Sequence, residues 1–167
     1  EDFVTDSSAS ATALATGYLI LNGWVGVHPD GTPTKTVLEY AEEKGMWTGL
    51  VVTCGVTHAT PASMATHVKS RGSEEDIALQ LSQCDIEVIL GGGWEKFLTV
   101  RATKIDGGSP VVPPIFISGR DLLERSLLTA DKVGADGKPY GVRKDKRNLA
   151  AEMEDRGYRF IRSAPEL

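Results

Sequence analysis

Basic runs, long apolar stretches, cysteines and histidines are all scarce in this chain of 167 residues. Lysine and arginine number 18 against 23 aspartate and glutamate, a net charge of −5, and no long basic run is present. That argues against a nucleic-acid surface. No stretch reaches the roughly 18 apolar residues of a candidate membrane span. There are two cysteines, Cys54 and Cys84. Their spacing is compatible with two buried thiols or with one disulfide and does not choose between them. The three histidines are His28, His58 and His67. No internal repeat and no low-complexity segment is found. Gly91-Gly92-Gly93 lacks the G-x-G-x-x-G spacing of a dinucleotide cradle, because Trp94-Glu95-Lys96 follow, and reads as a structural turn.

What is present suits one globular domain. Hydrophobic residues make up 41% and charged residues 25%, ordinary values for a soluble protein with a core of its own. The chain opens on Glu1-Asp2-Phe3-Val4, which suits the end of a core strand, with neither an initiator methionine nor a signal-peptide pattern. It closes on Ala164-Pro165-Glu166-Leu167 soon after an expected strand. The expectation is a single incomplete domain over residues 1–167, with further chain on both sides.

Periodicity places strands between helices. Ser7 to about Leu21 predicts a first helix, interrupted at Gly17. A second is expected from near Thr34 to Lys44, with Val37, Leu38, Tyr40 and Ala41 as its apolar face and Gly45 as its stop. Met46 to Thr53 predicts a strand, since Gly49-Leu50-Val51-Val52 is a continuous apolar run of the kind found in covered parallel strands. Thr60 is placed to cap a helix from Pro61 to Ser70. Ser73 opens another as a capping-box variant with Asp76, burying Ile77, Ala78 and Leu81, with Cys84 at its end. Ile86 to Leu90 reads as a second strand. Residues 99–114 read as a long loop, 115–117 are too short to assign, 121–128 read as helical and 132–142 as turn-rich. Arg147 to Arg156 predicts a helix, Tyr158 to Ile161 a strand, and Ser163 a further cap. The fold class expected is α/β: a three-layer sandwich with a largely parallel central sheet flanked by helices. Its ligands would lie at the carboxyl ends of the strands. Trp24, Trp47 and Trp94 read as core or interface aromatics, and His28 carries no assignment.

The most informative stretch is Val4-Thr5-Asp6-Ser7-Ser8-Ala9-Ser10-Ala11-Thr12-Ala13. Asp6, Ser7 or Ser8 can cap a helix that Ala9 to Thr16 propagates and Gly17 ends. A hydroxyl at such a terminus lies where the unpaired N–H groups and the dipole favour an anion. On local pattern alone the stretch is equally an ordinary capped, alanine-rich core helix. A serine hydroxyl is a poor nucleophile at neutral pH and needs a base or a metal, and no histidine lies near Ser7 in sequence.

That stretch closely resembles the nucleophile segment of the alkaline phosphatases. Val56-Thr57-His58-Ala59-Thr60-Pro61-Ala62 is similar to the family's second active-site segment. His67-Val68-Lys69-Ser70-Arg71 places Arg71 at its phosphate-binding arginine. Ile86-Glu87-Val88-Ile89-Leu90-Gly91-Gly92-Gly93, Lys146-Arg147-Asn148-Leu149 and Arg156-Gly157-Tyr158 follow in family order. The resemblance implies hydrolysis of phosphate monoesters, with Ser7 as nucleophile and the site of a phosphoserine intermediate. Two Zn²⁺ would activate the serine and hold the leaving oxygen. Arg71 would grip two phosphate oxygens through its planar guanidinium, and Asp6 would orient Arg71. Thr60 would ligate a third metal, usually Mg²⁺. His58 lies beside it where members carry Asp or His, and imidazole is a softer ligand than carboxylate. Ser8 is the rival nucleophile on chemical grounds, but the motif favours Ser7 and leaves Ser8 and Ser10 to capping or packing. Without the family, Arg71 reads as the solvated end of the Pro61–Ser70 helix, Thr60 as an N-cap, His58 as a structural histidine and His67 as a helix-surface or core residue.

The resemblance also implies a homodimer and export to the periplasm or cell surface. The family's remaining zinc ligands, from an upstream Asp and from downstream Asp-x-x-x-His, Asp-His and His segments, have no match here. Catalytic zinc takes about three protein ligands, so the chain alone is expected to be inactive. Two rival readings follow. One is a related sulfatase, diesterase or phosphomutase, which the Thr-Asp-Ser-Ser-Ala-Ser string disfavours. The other is a non-catalytic relative or fragment with a binding or assembly role.

Overall fold

The computed structural model describes residues 4–98, 115–117 and 143–161. The chain divides into two compact units, one of residues 1–48 with 57–86 and one of residues 49–56 with 87–167.

The first unit is helical and built on small side chains. Helix α1, Ser7–Thr16, starts on Asp6 as its N-cap and stops at Gly17, which takes φ 80 and donates its N–H to the Ala13 carbonyl. The left-handed turn ends the helix five residues short of Leu21, as a glycine C-cap does. Its buried face is Ser8, Ala9, Ala11, Thr12 and Ala15. Against it packs α3, the single turn Ala59–Ala62. Alanines on both sides let the backbones come close enough for the Ser63 hydroxyl to reach the Ser8 carbonyl at 3.2 Å. The buried Thr12 hydroxyl accepts the Gly26 N–H at 3.0 Å. Buried polar groups are thus paired, as their desolvation requires.

Several helix expectations are corrected in this unit. Helix α3 begins at Ala59 with His58 as N-cap, so Thr60 lies inside the turn and caps nothing. It ends at Ala62, and the expected helix to Ser70 is absent. Two tertiary features claim that backbone instead. Val68 pairs with Val25 in an isolated antiparallel bridge, each N–H 2.9 Å from the other's carbonyl. The Gln80 carboxamide pairs with both backbone groups of His67, at 2.7 and 3.0 Å. His67 is therefore on no helix; its ring nitrogens lie 2.6 Å from the Gly26 carbonyl and 3.0 Å from Glu39.

Helix α2, Val37–Glu43, starts later than Thr34 because Thr36 and Glu39 form a reciprocal capping box, which satisfies two terminal N–H groups at once. Its expected apolar face is not buried: Val37 and Tyr40 are more than half exposed. Helix α4, Glu74–Gln83, buries Ile77, Ala78 and Leu81 as expected, but the Ser73 side chain makes no capping bond. Both cysteines are half-buried thiols.

The second unit holds the sheet. Strand β1, Gly49–Gly55, pairs parallel with β2, Val88–Gly92, in register Leu50↔Ile89 and Val51↔Leu90. Strand β3, Ile115–Ile117, pairs antiparallel with β2, and β4, Arg159–Ile161, antiparallel with β3. The α/β class holds, with the parallel pairing confined to the first ladder of this sheet. Helix α5, Leu149–Asp155, is capped by Asn148, whose side-chain Oδ1 accepts the Ala151 N–H, and buries Leu149, Ala150 and Met153. The near-fully buried Arg143 pairs with Asp145 and donates to the Lys96 carbonyl at 3.2 Å. The expectations for residues 99–114, 121–128, 132–142 and Ser163 fall outside the described residues.

Gly91 belongs to β2, and the glycine turn begins only at Gly93, φ 86. A Cβ on Gly91 would stand 2.7 Å from Val52 Cγ2 and Val56 Cγ1 and 2.9 Å from the Cys54 carbonyl oxygen. Gly91→Ala should therefore destabilise the chain by about 1–3 kcal/mol, the usual cost of overpacking. A lowered urea midpoint is the readout; an unchanged one would mean that β1 yields without cost.

Candidate active site

The site grows from the first turn of α1. Helix geometry leaves the leading N–H groups without intrahelical acceptors. Asp6 takes one of them, accepting the Ala9 N–H on Oδ1 at 2.8 Å. Ser7 follows as the first helical residue, with an exposed side chain at the positive end of the helix.

Arg71 reaches this point through the ribbon made by Val25 and Val68. The ribbon continues until the Arg71 N–H donates to the Gly23 carbonyl at 2.7 Å. From there Arg71 Nη1 donates to Ser7 Oγ at 2.8 Å and approaches Asp6 Oδ2 at 3.2 Å. Arg71 is thus within hydrogen-bonding distance of both Asp6 and Ser7, across 65 and 64 residues of sequence. Among the described residues, Arg71 is the one side chain bonded to Ser7 that bears a full charge.

Asp6 is the hub. Its Oδ2 also accepts the Gly23 N–H at 2.9 Å, and the Ser8 hydroxyl lies 2.7 and 2.8 Å from its two oxygens. Partial burial pushes the Asp6 carboxyl up. The donors from Ala9, Ser8, Gly23 and Arg71 outweigh it and hold the group down at about 2, since bonds to the charged form favour that form. Ser8 is fully buried with its proton committed to Asp6, which is a supporting position and not that of an attacking group.

Two contributors escape sequence reading. Asn22 and Gly23 lie in a loop, but the Asn22 carboxamide and the Gly23 backbone both bond the segment around Asp6. The Asn-Gly pair is a turn signal, and nothing local says which segment the turn contacts.

His58 and Thr60 sit at the start of α3 with exposed side chains. No hydrogen bond among the described residues joins either to Asp6, Ser7 or Arg71. Among those residues, no group of three or more His, Cys, Asp or Glu is placed to hold a metal ion. The donor set does not fit a zinc cage, which takes about three protein ligands.

A test of the hub follows from its titration. Asp6 is held below its ordinary 3.8, so its contribution to stability is complete above that value and disappears as pH falls through about 2. For a group this exposed the contribution is roughly 1–2 kcal/mol. Asp6→Asn should lower the urea midpoint at pH 7, and the gap from the parent should close between pH 4 and pH 2. A gap independent of pH would show that the carboxylate charge is not what the site uses.

Comparison with known proteins gives the chain its family. The alkaline phosphatase family profile matches residues 1–167. Alkaline phosphatase 3 of Bacillus subtilis is 46% identical over 103 residues, 58% of this chain and 22% of its own length. Streptomycin-6-phosphate phosphatase of Streptomyces griseus is 39% identical over 155 residues, 79% of this chain and 34% of its own. Among solved structures, a histidine-to-aspartate variant of the alkaline phosphatase from the Antarctic bacterium TAB5, with magnesium in its M3 site, superposes with TM-score 0.55 at 40% identity. The match covers 56% of this chain and 27% of that one. The chain thus spans between about a fifth and a third of the length of these relatives. A match that runs from the first residue to the last concerns the whole chain, and this one belongs to the alkaline phosphatase family.

Proposed function

We propose that this chain is the nucleophile-and-arginine segment of a metal-dependent phosphate monoester hydrolase that works through a phosphoserine on Ser7. The supporting observation is the 2.8 Å contact from Arg71 Nη1 to Ser7 Oγ at the leading end of α1. A cation and a helix terminus together favour an anion beside the hydroxyl. In the proposed reaction Ser7 Oγ bonds to phosphorus as the ester P–O bond breaks, the serine proton ends on the departing alcohol, and water later splits the phosphoserine into phosphate and the free serine hydroxyl. Arg71 holds the non-bridging oxygens, and Asp6 fixes the guanidinium. The cofactors proposed are two Zn²⁺ and one Mg²⁺. His58 and Thr60 would add an imidazole and a hydroxyl to the Mg²⁺ set, and the zinc donors come from outside the described residues. The streptomycin-6-phosphate phosphatase similarity supports a phosphate monoester as substrate. A homodimer, exported to the periplasm or cell surface, completes the proposal by family resemblance. Among the described residues, no helix is long and apolar enough to cross a membrane.

A second reading, a non-catalytic fragment with a binding or assembly role, draws on there being no group of three metal-ligating side chains among the described residues. Two experiments separate the readings. Purified residues 1–167 with added zinc and magnesium should not hydrolyse p-nitrophenyl phosphate; turnover would show that the chain holds a complete site. A chimera in which this chain replaces the matching segment of the Bacillus subtilis enzyme should hydrolyse it and carry an acid-stable phosphoserine. Ser7→Ala should abolish both signals. A stable chimera with no turnover favours the non-catalytic reading, and a phosphoenzyme that survives Ser7→Ala moves the nucleophile elsewhere.

A further inference from the structure

We propose that Asn22 is a positioning residue: its side chain and the turn it begins hold the backbone leading to Ser7 in place against the segment that carries Arg71. The proposal rests on the reading that Ser7 and Arg71 together receive a phosphoryl group.

Asn22 is exposed, yet its carboxamide is fully engaged with main chain. Its Oδ1 accepts the Asp6 N–H at 3.0 Å, and its Nδ2 donates to the Val4 carbonyl at 2.9 Å. The two partners fix the amide orientation, because a flipped group would set donor against donor and acceptor against acceptor. One side chain therefore brackets Thr5 as a neighbouring strand would and sets the direction in which the chain runs into Asp6 and Ser7.

The next residue completes the connection. Gly23 donates its N–H to Asp6 Oδ2 at 2.9 Å, and its carbonyl accepts the Arg71 N–H at 2.7 Å. It does so at φ 82, a conformation that an L side chain rarely adopts. Two consecutive residues thus hold the nucleophile's flank and the arginine's backbone at once. Of the other bonds to the Asp6 carboxylate, those from Ser8 and Ala9 come from within α1 and move with it, and the one from Arg71 is a side-chain contact. The turn adds a link through its own main chain between α1 and the Arg71 segment, beside the direct bonds of the guanidinium. Reactions of positioned groups are sensitive to displacements of about 1 Å, so such a link bears on chemistry and not only on stability.

The test uses the 167-residue chain with isotope labelling and inorganic phosphate as the probe. Asn22→Ala should speed hydrogen exchange at the Asp6 amide by about tenfold, the equivalent of one or two lost hydrogen bonds. The Asp6 carboxyl midpoint, followed by carbon NMR, should rise towards the ordinary aspartate value. Phosphate affinity should fall by about tenfold, while exchange at Val25 and Val68 stays as in the parent. Gly23→Ala is the second variant. A Cβ there meets nothing within 4 Å, so it perturbs only the turn's backbone, and it should shift the same three signals in the same direction. It decides the matter should Asn22→Ala not fold. Unchanged Asp6 exchange, titration and phosphate affinity in the folded variant overturn the proposal. If the parent chain binds no phosphate while the Asp6 signals still move, the positioning role stands and the phosphoryl-transfer reading falls. If the parent binds phosphate and the variant binds it equally, the reverse holds.

Discussion

The carboxylate of Asp6 is the group on which the rest of the site depends. A half-buried carboxylate is costly unless its lone pairs are used, and here a helix amide, a buried hydroxyl, a loop amide and a guanidinium use them. Each donor comes with a piece of structure. The Ala9 amide orients α1, the Gly23 amide brings in the loop after α1, and the guanidinium brings in the segment before α4. Their shared acceptor fixes where the Ser7 hydroxyl and Arg71 stand relative to each other.

Small side chains make that convergence possible. Arg71 lies 65 residues from Asp6 in sequence, and the chain between them must turn back on α1 closely. Ala9, Ala11 and Ala15 on α1, with Ala59, Ala62 and Ala65 around α3, are all buried. Larger residues there would push apart backbones that are now joined by the Ser63 hydroxyl. The hydroxyls of Thr12 and Thr66 bond main-chain groups inside the same packing, so the small polar residues take part without leaving unpaired groups.

The parts of this arrangement that were legible in the sequence are those with local causes. Asp6 and Gly17 bound α1 through a cap and a left-handed stop, both of which are written in residue type. The continuous apolar runs mark β1 and β2, and the spacing of Ile77, Ala78 and Leu81 marks the buried face of α4. What was not legible depends on distant partners. Residues 63–70 carry no helix breaker, and the Val25 bridge and the Gln80 carboxamide override their propensity. The sequence periodicity of α2 suggested a buried face, but Val37 and Tyr40 are exposed. The expected strand at Tyr158 to Ile161 is found as β4, whereas β3 is too short to assign from the sequence, and with it the antiparallel pairing of the two. Ser8 and Asn22 look like ordinary capping and turn residues, and their convergence on Asp6, one on its carboxylate and the other on its main chain, emerges only in three dimensions. Arg71 and Asp6 were paired on family resemblance, because sequence spacing alone offers no reason for a solvated helix-end arginine to meet an N-cap 65 residues away.

Charge counting connects this geometry to the proposed metals. Asp6 and Arg71 form an ion pair, so the described group of Asp6, Ser7 and Arg71 is close to neutral before any ligand arrives. A phosphate monoester dianion therefore gains from Arg71 only what the guanidinium can share with Asp6, plus the partial charge of the helix terminus, worth about 0.3–1 kcal/mol when exposed. A unit charge about 4 Å away is worth roughly 4 kcal/mol near a protein surface. Stabilising both an attacking oxygen and a departing one asks for more positive charge than one shared arginine supplies. In the proposed reaction the ion pair would set the angle at which the phosphate is held, and cations beyond the pair would supply the field that drives the displacement. On that reading the chain would bring the proposed nucleophile and arginine together and still depend on added cations for turnover.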